Sequence, residues 1–407
     1  MTNDGNRSAR LAREVNAYLA DWYARTRHGA PRDAERTRRM LSELSFAPSF
    51  RVVHVVGTNG KGSVAARVDA GLRAAGLRTV RFTSPHVERF HERVTVQGYE
   101  VENAVLLPAM ERVNALPSAR GAPFFDLATV LAVLIASSES ADVLVLEAGV
   151  GAARDATLAV PHVVVSIVTN VEEDHLATIG PTVEDVARDK AEAVRPGVPC
   201  VTGATGVGLA VVRSTCEARG APFVHVPPMD ERHGSGVVEH AAALAVATLK
   251  AGFGIESEAA VSAAREDPHL PARRERFALP GDRWVVLDGA HNPPAAVRLA
   301  RDVPEDAHAL IGVASRKDVE GVLAAFTHLP VVTRTVAVAG DDVAGDVIED
   351  PLAALARALA CLPEGGTLLV TGSFYLAGIV RPWLRAWARG EREASWRQAI
   401  AGYAPRS

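Results

Sequence analysis

RVVHVVGTNGKGSVAARVDAGLRAAG, residues 51–76, decides the fold of the first part of the chain. Val52–Val56 is a short β-branched run closed by Gly57, and the segment from Ser63 onward carries apolar residues at helical spacing. Between them lies the turn Gly57, Thr58, Asn59, Gly60, Lys61, Gly62, Ser63. Backbone N–H groups of such a turn, with the N-terminus of the following helix, cradle phosphate oxygens. Lys61 can neutralise β and γ phosphates, and the Ser63 hydroxyl can ligate Mg²⁺. The spacing is not GxxxxGK[ST], so this is a variant of the phosphate loop. A glycine-rich turn without a ligand is the competing reading, and the strand–loop–helix context makes it the minor one.

Working outward, strands alternate with helices. LRTVRFTS (77–84), ADVLVLEAGVG (141–151), HVVVSIVTN (162–170) and PGVPCVTG (196–203) read as strands. Residues 9–45, DLATVLAVLIASS (126–138), TVEDVARDKAEAVR (182–195) and 238–251 read as helices. After a polar loop at 226–236 and a connector at 269–282, the alternation restarts with RWVVLDGAHN and runs to GTLLVTGS. The expected fold class is therefore α/β: a phosphate-loop domain with a doubly wound parallel sheet over residues 1–278, then a smaller Rossmann-like domain over 279–407 with a helical tail from 381.

Composition restricts the function. Across 407 residues, 48% are hydrophobic, 23% are charged and the formal net charge is −4, the profile of a globular chain with no basic field for nucleic acid. The first twenty residues lack a signal-like apolar region, and uninterrupted apolar runs fall short of a membrane span. Cys200, Cys216 and Cys361 are scattered, without a CxxC pair, so a reducing, cytoplasmic setting is expected. Of the 44 basic residues, only Lys61, Lys190, Lys250 and Lys317 are lysines. A lysine kept in an arginine-dominated chain is a weak sign that a compact ammonium, or a primary amine able to react, is needed there.

Other segments carry chemistry of their own. Glu147 ends the apolar run VLVLE, and a carboxylate at the carboxyl end of a central strand is a natural partner for Mg²⁺. A strand-end acid paired with arginine is the plainer alternative. TNVEEDHLATIG (169–180) brings Asp174 and His175 to the same sheet edge, where His175 can reach a metal or act as a structural hydrogen-bonder. Lys190 alone reads as a surface lysine. LDGAHNPPA (287–295) sets Asp288, His291 and Asn292 at a strand end before a proline-opened helix. VTGSFYL (370–376) has the same strand–turn–helix form and can hold a phosphate or simply turn the chain.

Together these segments resemble the folylpolyglutamate synthase/dihydrofolate synthase family of the Mur-ligase superfamily. HVVGTNGKGSV, FTSPHVERFHERV, FFDLATVLAV, VLEAGVG, TNVEEDHLATIG, ARDKAEAVRPGVPCVTG, LPARRERF, LDGAHNPPAA, GVASRKDVEGVL and VTGSFYLAGIVR follow in family order from about residue 35 to 385. The resemblance implies an ATP-dependent amide ligase that adds L-glutamate to a folate or dihydropteroate through an acyl phosphate. It implies that Lys61 and its loop bind ATP, that Ser63, Glu147 and His175 hold Mg²⁺, and that Lys190 is carbamylated and supports a second Mg²⁺. Lys61, His175 and Lys190 are the expected catalytic residues. By the same resemblance, Arg273, Asp288, His291 and Asn292 contact the nucleotide, Lys317–Asp318 matches a family KD pair on the substrate side, and Ser84, Pro85 and His86 lie near the pterin end. A cleft that closes between two domains, a monomer, and no nucleic-acid or membrane partner complete the expectation.

There are departures. The family's GLGGRxDATN reads GVGAARDATL here, with Ala152, Ala153 and Leu158 in place of Gly, Arg and Asn, and His240 stands where the adenine-side helix carries Asn. These bear on adenine and on the acceptor. A divergent Mur-type ligase on another carboxylate and a non-catalytic nucleotide-binding homologue are the other readings, and the retained Lys61, Ser63, Glu147, His175 and Lys190 weigh against the latter.

Overall fold

The structure is a computed structural model and describes residues 2–27, 33–44, 48–174, 176–229, 236–337 and 347–390. It forms two compact units, Met1–His86 with Phe90–Pro268, and Val87–Arg89 with His269–Ser407.

The first unit is built on eight strands: β1 (Arg51–Val56), β2 (Thr79–Phe82), β3 (Val94–Val96), β4 (Tyr99–Glu100), β5 (Val143–Glu147), β6 (Val163–Val168), β7 (Cys200–Thr202) and β8 (Phe223–His225). Their order is β4-β3-β2-β5-β1-β6-β7-β8. β2, β5, β1, β6, β7 and β8 run parallel, while β3 and β4 form an antiparallel flap at one edge. β1 lies between β5 and β6; from it the chain first goes to β2, beyond β5 on one side, and later to β6 on the other, so the direction of winding reverses at β1. In an open parallel sheet that reversal opens a crevice at the carboxyl ends of the strands, which is where ligands bind. Every residue of β5 is buried, as are Val52, Val53, Val55 and Val56 of β1. That burial on both faces is why these strands read as continuous apolar runs rather than alternating ones.

Helices cover both faces. Phe124–Ser138 packs with the N-terminal helix Thr2–Arg27 and with Asn103–Asn114 in one core; Lys61–Ala74 packs with Gly236–Phe253 and Glu258–Arg265 in another. Gly236–Phe253 is the one described helix long and apolar enough to cross a membrane; Ala241, Leu244, Ala245 and Leu249 bury its inner face in the sheet core.

In the second unit the order is β12-β11-β13-β10-β9, from β9 (Glu275–Leu279), β10 (Arg283–Leu287), β11 (His308–Ile311), β12 (Val331–Arg334) and β13 (Thr367–Thr371). β10 to β13 are parallel, and β9 returns antiparallel on β10. The sequence-based boundary at 278/279 falls within β9. Residues 275–287 are a hairpin that cannot be divided, and the unit starts at His269. Glu88, which belongs to this unit, pairs with Arg381 and Arg385, and Arg381 also grips Glu275 through two hydrogen bonds of 2.7 and 2.8 Å. Residues 391–407 of the expected tail lie outside the described residues; its first part is the helix Phe374–Ala388.

Candidate active site

The turn after β1 has the backbone that its glycines demand. Gly57 has φ +149°, and a Cβ there would lie 1.8 Å from Thr169 Oγ1; Gly60 has φ +78° with open space around it, so its requirement is conformational alone. The helix Lys61–Ala74 starts directly after Gly60. The Lys61 ammonium is folded back, donating to the carbonyls of Gly57 at 3.1 Å and Thr58 at 3.2 Å.

This turn is laced to the segment leaving β6. The Thr58 N–H donates to Asn170 Oδ1 at 3.1 Å and the Asn59 N–H to the same oxygen at 2.8 Å. The Thr58 hydroxyl donates to the Glu172 carbonyl and accepts from the Glu172 N–H, both at 3.1 Å. Asn59 Nδ2 donates to Glu172 Oε2 at 2.9 Å, and the Thr169 hydroxyl donates to the Asn59 carbonyl at 2.7 Å.

Glu147 closes β5, next to β1, with Val55 as its register partner, two residues before Gly57. It is 2% exposed, and its Oε2 accepts the Ser84 N–H at 2.8 Å, so Ser84 and Glu147 come together. The turn after Glu147 is held by two carboxylates. Asp155 Oδ2 accepts from the N–H groups of Gly149 (3.1 Å) and Val150 (3.0 Å), and Asp189 Oδ2 accepts from Ala152 N–H at 2.8 Å. Asp155 Oδ1 takes the Thr157 hydroxyl proton at 2.6 Å. Thr157 Oγ1 must therefore accept from His54 Nε2, 2.9 Å away, which places a proton on Nε2. Full burial, with a smaller contribution from Arg195, holds the His54 pKa down at about 3.

Lys190 is not the surface lysine that its helix alone suggested. On Val183–Ala191 it is 3% exposed, and burial, then repulsion from Lys61, lowers its pKa to about 8 against the pull of Asp189, Asp174 and Asp155. The helix is started by a capping box of Thr182 and Asp185. His175 lies outside the described residues. Among the described residues no group of three or more His, Cys, Asp or Glu is gathered to hold a metal.

Ser84, Pro85 and His86 follow β2. His86 Nδ1 accepts from Arg93 Nε at 2.7 Å, and burial plus that guanidinium depress its pKa to about 3. Its ring meets Phe90 edge-on, and Tyr23 stacks on Phe124 with ring centroids 4.5 Å apart. Asp126, also on the Phe124 helix, is 4% exposed, and burial raises its pKa to about 6 despite Arg36 at 3.6 Å.

In the second unit Asp288 follows β10, its oxygens accepting from the N–H groups of Arg274 (2.9 Å) and Ala290 (2.8 Å). Burial raises its pKa, and the nearby Arg273 opposes the rise. The Arg273 guanidinium lies 4.2 Å over the Phe374 ring, and His291 meets the same ring edge-on with centroids 5.8 Å apart. Phe374 thus joins Arg273 to His291, and a Cβ on Gly289 would strike it at 2.2 Å. Asn292 Oδ1 caps the helix Pro293–Arg301 through Ala295 N–H at 3.0 Å. Asp318 caps Val319–Ala324 through Gly321 N–H at 2.8 Å, and Lys317 precedes it, half-buried.

The Escherichia coli dihydrofolate synthase/folylpolyglutamate synthase is 30% identical over 336 residues, covering 75% of this chain and 78% of that protein. The chain belongs to the folylpolyglutamate synthase/dihydrofolate synthase family. No family model matches it. A probable bifunctional folylpolyglutamate synthase/dihydropteroate synthase of Haloferax volcanii is 33% identical over 86% of this chain, but the chain spans about half, 48%, of that relative's length. Among solved structures, E. coli FolC in complex with DHPP and ADP superposes with a TM-score of 0.79 at 27% identity, covering 92% of this chain and 98% of that one. The Yersinia pestis bifunctional folylpolyglutamate synthase/dihydrofolate synthase with Mn, AMPPNP and L-glutamate bound superposes equally, with a TM-score of 0.79 at 25% identity over 91% of this chain and 98% of that one.

Where this chain departs from the folylpolyglutamate synthase pattern, Ala152 is fully buried, Ala153 half-buried and Arg154 exposed. His240 Nε2 lies 3.0 Å from the Val226 carbonyl, its ring over Gly203. Asn170, Asp155, Asp189 and Phe374 received no role from the sequence. A strand-exit Asn and, for Asp155, a nearby glycine turn were the available signals; Asp189 on its helix and the Phe374 contact had none.

Proposed function

We propose that the chain is an ATP-dependent amide ligase that joins L-glutamate to the carboxylate of a folate, of dihydropteroate, or of both. The observation that carries this reading is the pairing of a glycine loop bearing Lys61 with the buried carboxylate of Glu147 at the adjacent strand end, level with Val55. An oxygen of the acceptor carboxylate attacks the γ-phosphorus, the bond to the β,γ-bridging oxygen breaks, and ADP leaves. The acyl phosphate then takes the glutamate amine at its carbonyl carbon, with loss of phosphate and a proton. Such transfer between anions needs charge neutralisation and alignment. Gly57 to Ser63 would line the phosphates, and Lys61 would leave its loop carbonyls for them.

A hard, oxygen-seeking cation suits a buried carboxylate and a hydroxyl. Ser63, Glu147 and His175 would hold Mg²⁺, which when bound supplies Lewis-acid neutralisation of phosphate charge. Lys190, buried with a lowered pKa, would add CO₂ at its amine nitrogen and lose a proton, the resulting anion supporting a second Mg²⁺. On the second unit, Arg273, Asp288, His291 and Asn292 would contact the nucleotide, and Lys317 and Asp318 the substrate; on the first, Ser84, Pro85 and His86 would meet the pterin side of the acceptor. The protein would act in the cytoplasm as a monomer without nucleic-acid or membrane partners. The substitutions at Ala152, Ala153 and Leu158 favour a second reading, ligation to a carboxylate other than a folate.

Release of ADP is the test, measured with dihydropteroate plus glutamate and with tetrahydrofolate plus glutamate. Turnover with either acceptor, dependent on glutamate, is the expected result. Glutamate-dependent ADP release with another supplied carboxylic acid, but with neither folate acceptor, would move the assignment to the second reading, and absence of ATP turnover with every acid supplied would refute ligation.

A further inference from the structure

The amide groups that open the phosphate loop are already occupied. Asn170 Oδ1 receives both the Thr58 and the Asn59 N–H, at 3.1 and 2.8 Å, and the Thr58 N–H is shared with the Asn170 carbonyl at 3.2 Å. One amide oxygen with two lone pairs can saturate two donors, so its capacity is filled. Glu172 adds three more ties: its carbonyl and N–H to the Thr58 hydroxyl and its carboxylate to Asn59 Nδ2. Thr169 contributes the bond to the Asn59 carbonyl and stands against Gly57, where no Cβ would fit. Thr58 is buried, and the three residues Gly57, Thr58 and Asn59 have little freedom left.

This arrangement divides the loop into two functional halves. The amides of Thr58 and Asn59 point to protein acceptors and belong to its support. Those from Gly60 to Ser63 belong to the start of the helix Lys61–Ala74, where the N–H groups of a helix N-terminus face an anion. A loop that grips phosphate must be shaped before the ligand arrives, because every backbone torsion that freezes on binding reduces affinity. Glycines at 57, 60 and 62 would otherwise make this stretch among the softest in the unit.

We infer that Asn170, assisted by Glu172, is a positioning residue for nucleotide binding: it acts as a side-chain splint that pre-shapes Gly57–Asn59 so that the amides from Gly60 to Ser63 face the phosphates. The inference rests on the nucleotide reading of this loop but not on the identity of the acceptor. It also gives a reason for an amide at 170. A carboxylate could accept the same two bonds but would set a second negative charge beside the phosphates, and a shorter side chain would not reach them.

The test is ADP binding by titration calorimetry on the full chain, with steady-state kinetics beside it. Asn170→Ala removes both side-chain bonds and is expected to weaken ADP binding by about tenfold or more, from typical net hydrogen-bond contributions. The KM for ATP should rise in parallel, with the KM for the acceptor unchanged. Glu172→Ala, which leaves the Asn170 bonds intact, is expected to weaken ADP by about threefold. A purely structural role would lower the melting temperature without separating the two KM values. If a folded Asn170→Ala binds ADP as the wild type does, or if both KM values move together, the splint is refuted. Should Asn170→Ala not fold, unchanged ADP affinity in Glu172→Ala refutes it equally. Wild-type chain that binds ADP without ligating glutamate would overturn the proposed ligase and leave the splint supported by the variants; wild type that binds no ADP overturns both.

Discussion

Replacing Lys190 with arginine probes the boldest element of the proposed mechanism. Burial and the neighbouring Lys61 lower the Lys190 amine from the ordinary 10.5 to about 8. At pH 7 roughly a tenth of such an amine is unprotonated, against roughly three in ten thousand for an ordinary lysine, an advantage of about 300-fold. Only the free amine adds CO₂, so this is the quantity that decides whether a carbamate forms at cellular CO₂. The product is an anion at a site that is 3% exposed, and it persists only when a cation offsets it. Arginine stays protonated at this pH and cannot follow the same path. Lys190→Arg should therefore retain the fold and fall to a few per cent or less of wild-type ADP release, while Lys190→Ala should regain activity as acetate is added. Wild-type enzyme stripped of CO₂ should lose activity and recover it with bicarbonate. Carbon-13 NMR of enzyme loaded with labelled bicarbonate should show a carbamate resonance that Lys190→Ala lacks. Normal turnover by Lys190→Arg, or full activity without CO₂, would refute the reasoning.

Three further outcomes are expected. Lys61→Ala should reduce kcat by about a thousandfold or more in a folded protein, since charge neutralisation at a transferring phosphate contributes several kcal/mol; near-normal kcat would exclude the role. Glu147→Gln should raise the Mg²⁺ concentration needed for half-maximal turnover by about tenfold, and an unchanged Mg²⁺ curve would remove Glu147 from the metal set. His54 titrates at about 3 when folded and near 6.5 when unfolded, so the unfolded chain binds the extra proton and stability is lost as pH falls through that window. The slope is about 1.4 kcal/mol per pH unit, so urea unfolding at pH 7 and pH 5 should show the difference between wild type and His54→Phe shrinking by about 2 kcal/mol. A constant difference would mean that the ring is not held neutral.

The parallel sheet was legible because its strands are buried on both faces, so Val52–Val56, Val143–Leu146 and Val163–Val168 stand out as apolar runs beside glycine turns. The hairpin of β3 and β4 was not, being strands of only three and two residues at the sheet edge, too short to show a period. β9 was not legible in LPARRERFALPGD, which is rich in prolines and charges; its strand character comes from pairing with β10, a tertiary fact. Lys190 offered only its type: helical position suggested solvent, and the packing that buries it is invisible along one helix. Asn292 and Asp318 took their expected roles from the family resemblance, and the structure adds that each also starts a helix.

The turn that follows Glu147 owes its shape to acceptors outside it. Asp155 and Asp189 hold the N–H groups of Gly149, Val150 and Ala152, and Gly151, with φ +68°, leaves no room for a side chain beside Asp189. The side chains at 150, 152 and 153 contribute none of these bonds. Such a turn can drift in sequence while its backbone stays in place, which is how Ala152 and Ala153 can replace the family's glycine and arginine without moving the carboxylate at 147. For enzyme engineering, positions 153 and 154, half-buried and exposed, are then the ones to vary, whereas Asp155, Asp189 and Gly151 are the fixed hardware of the turn.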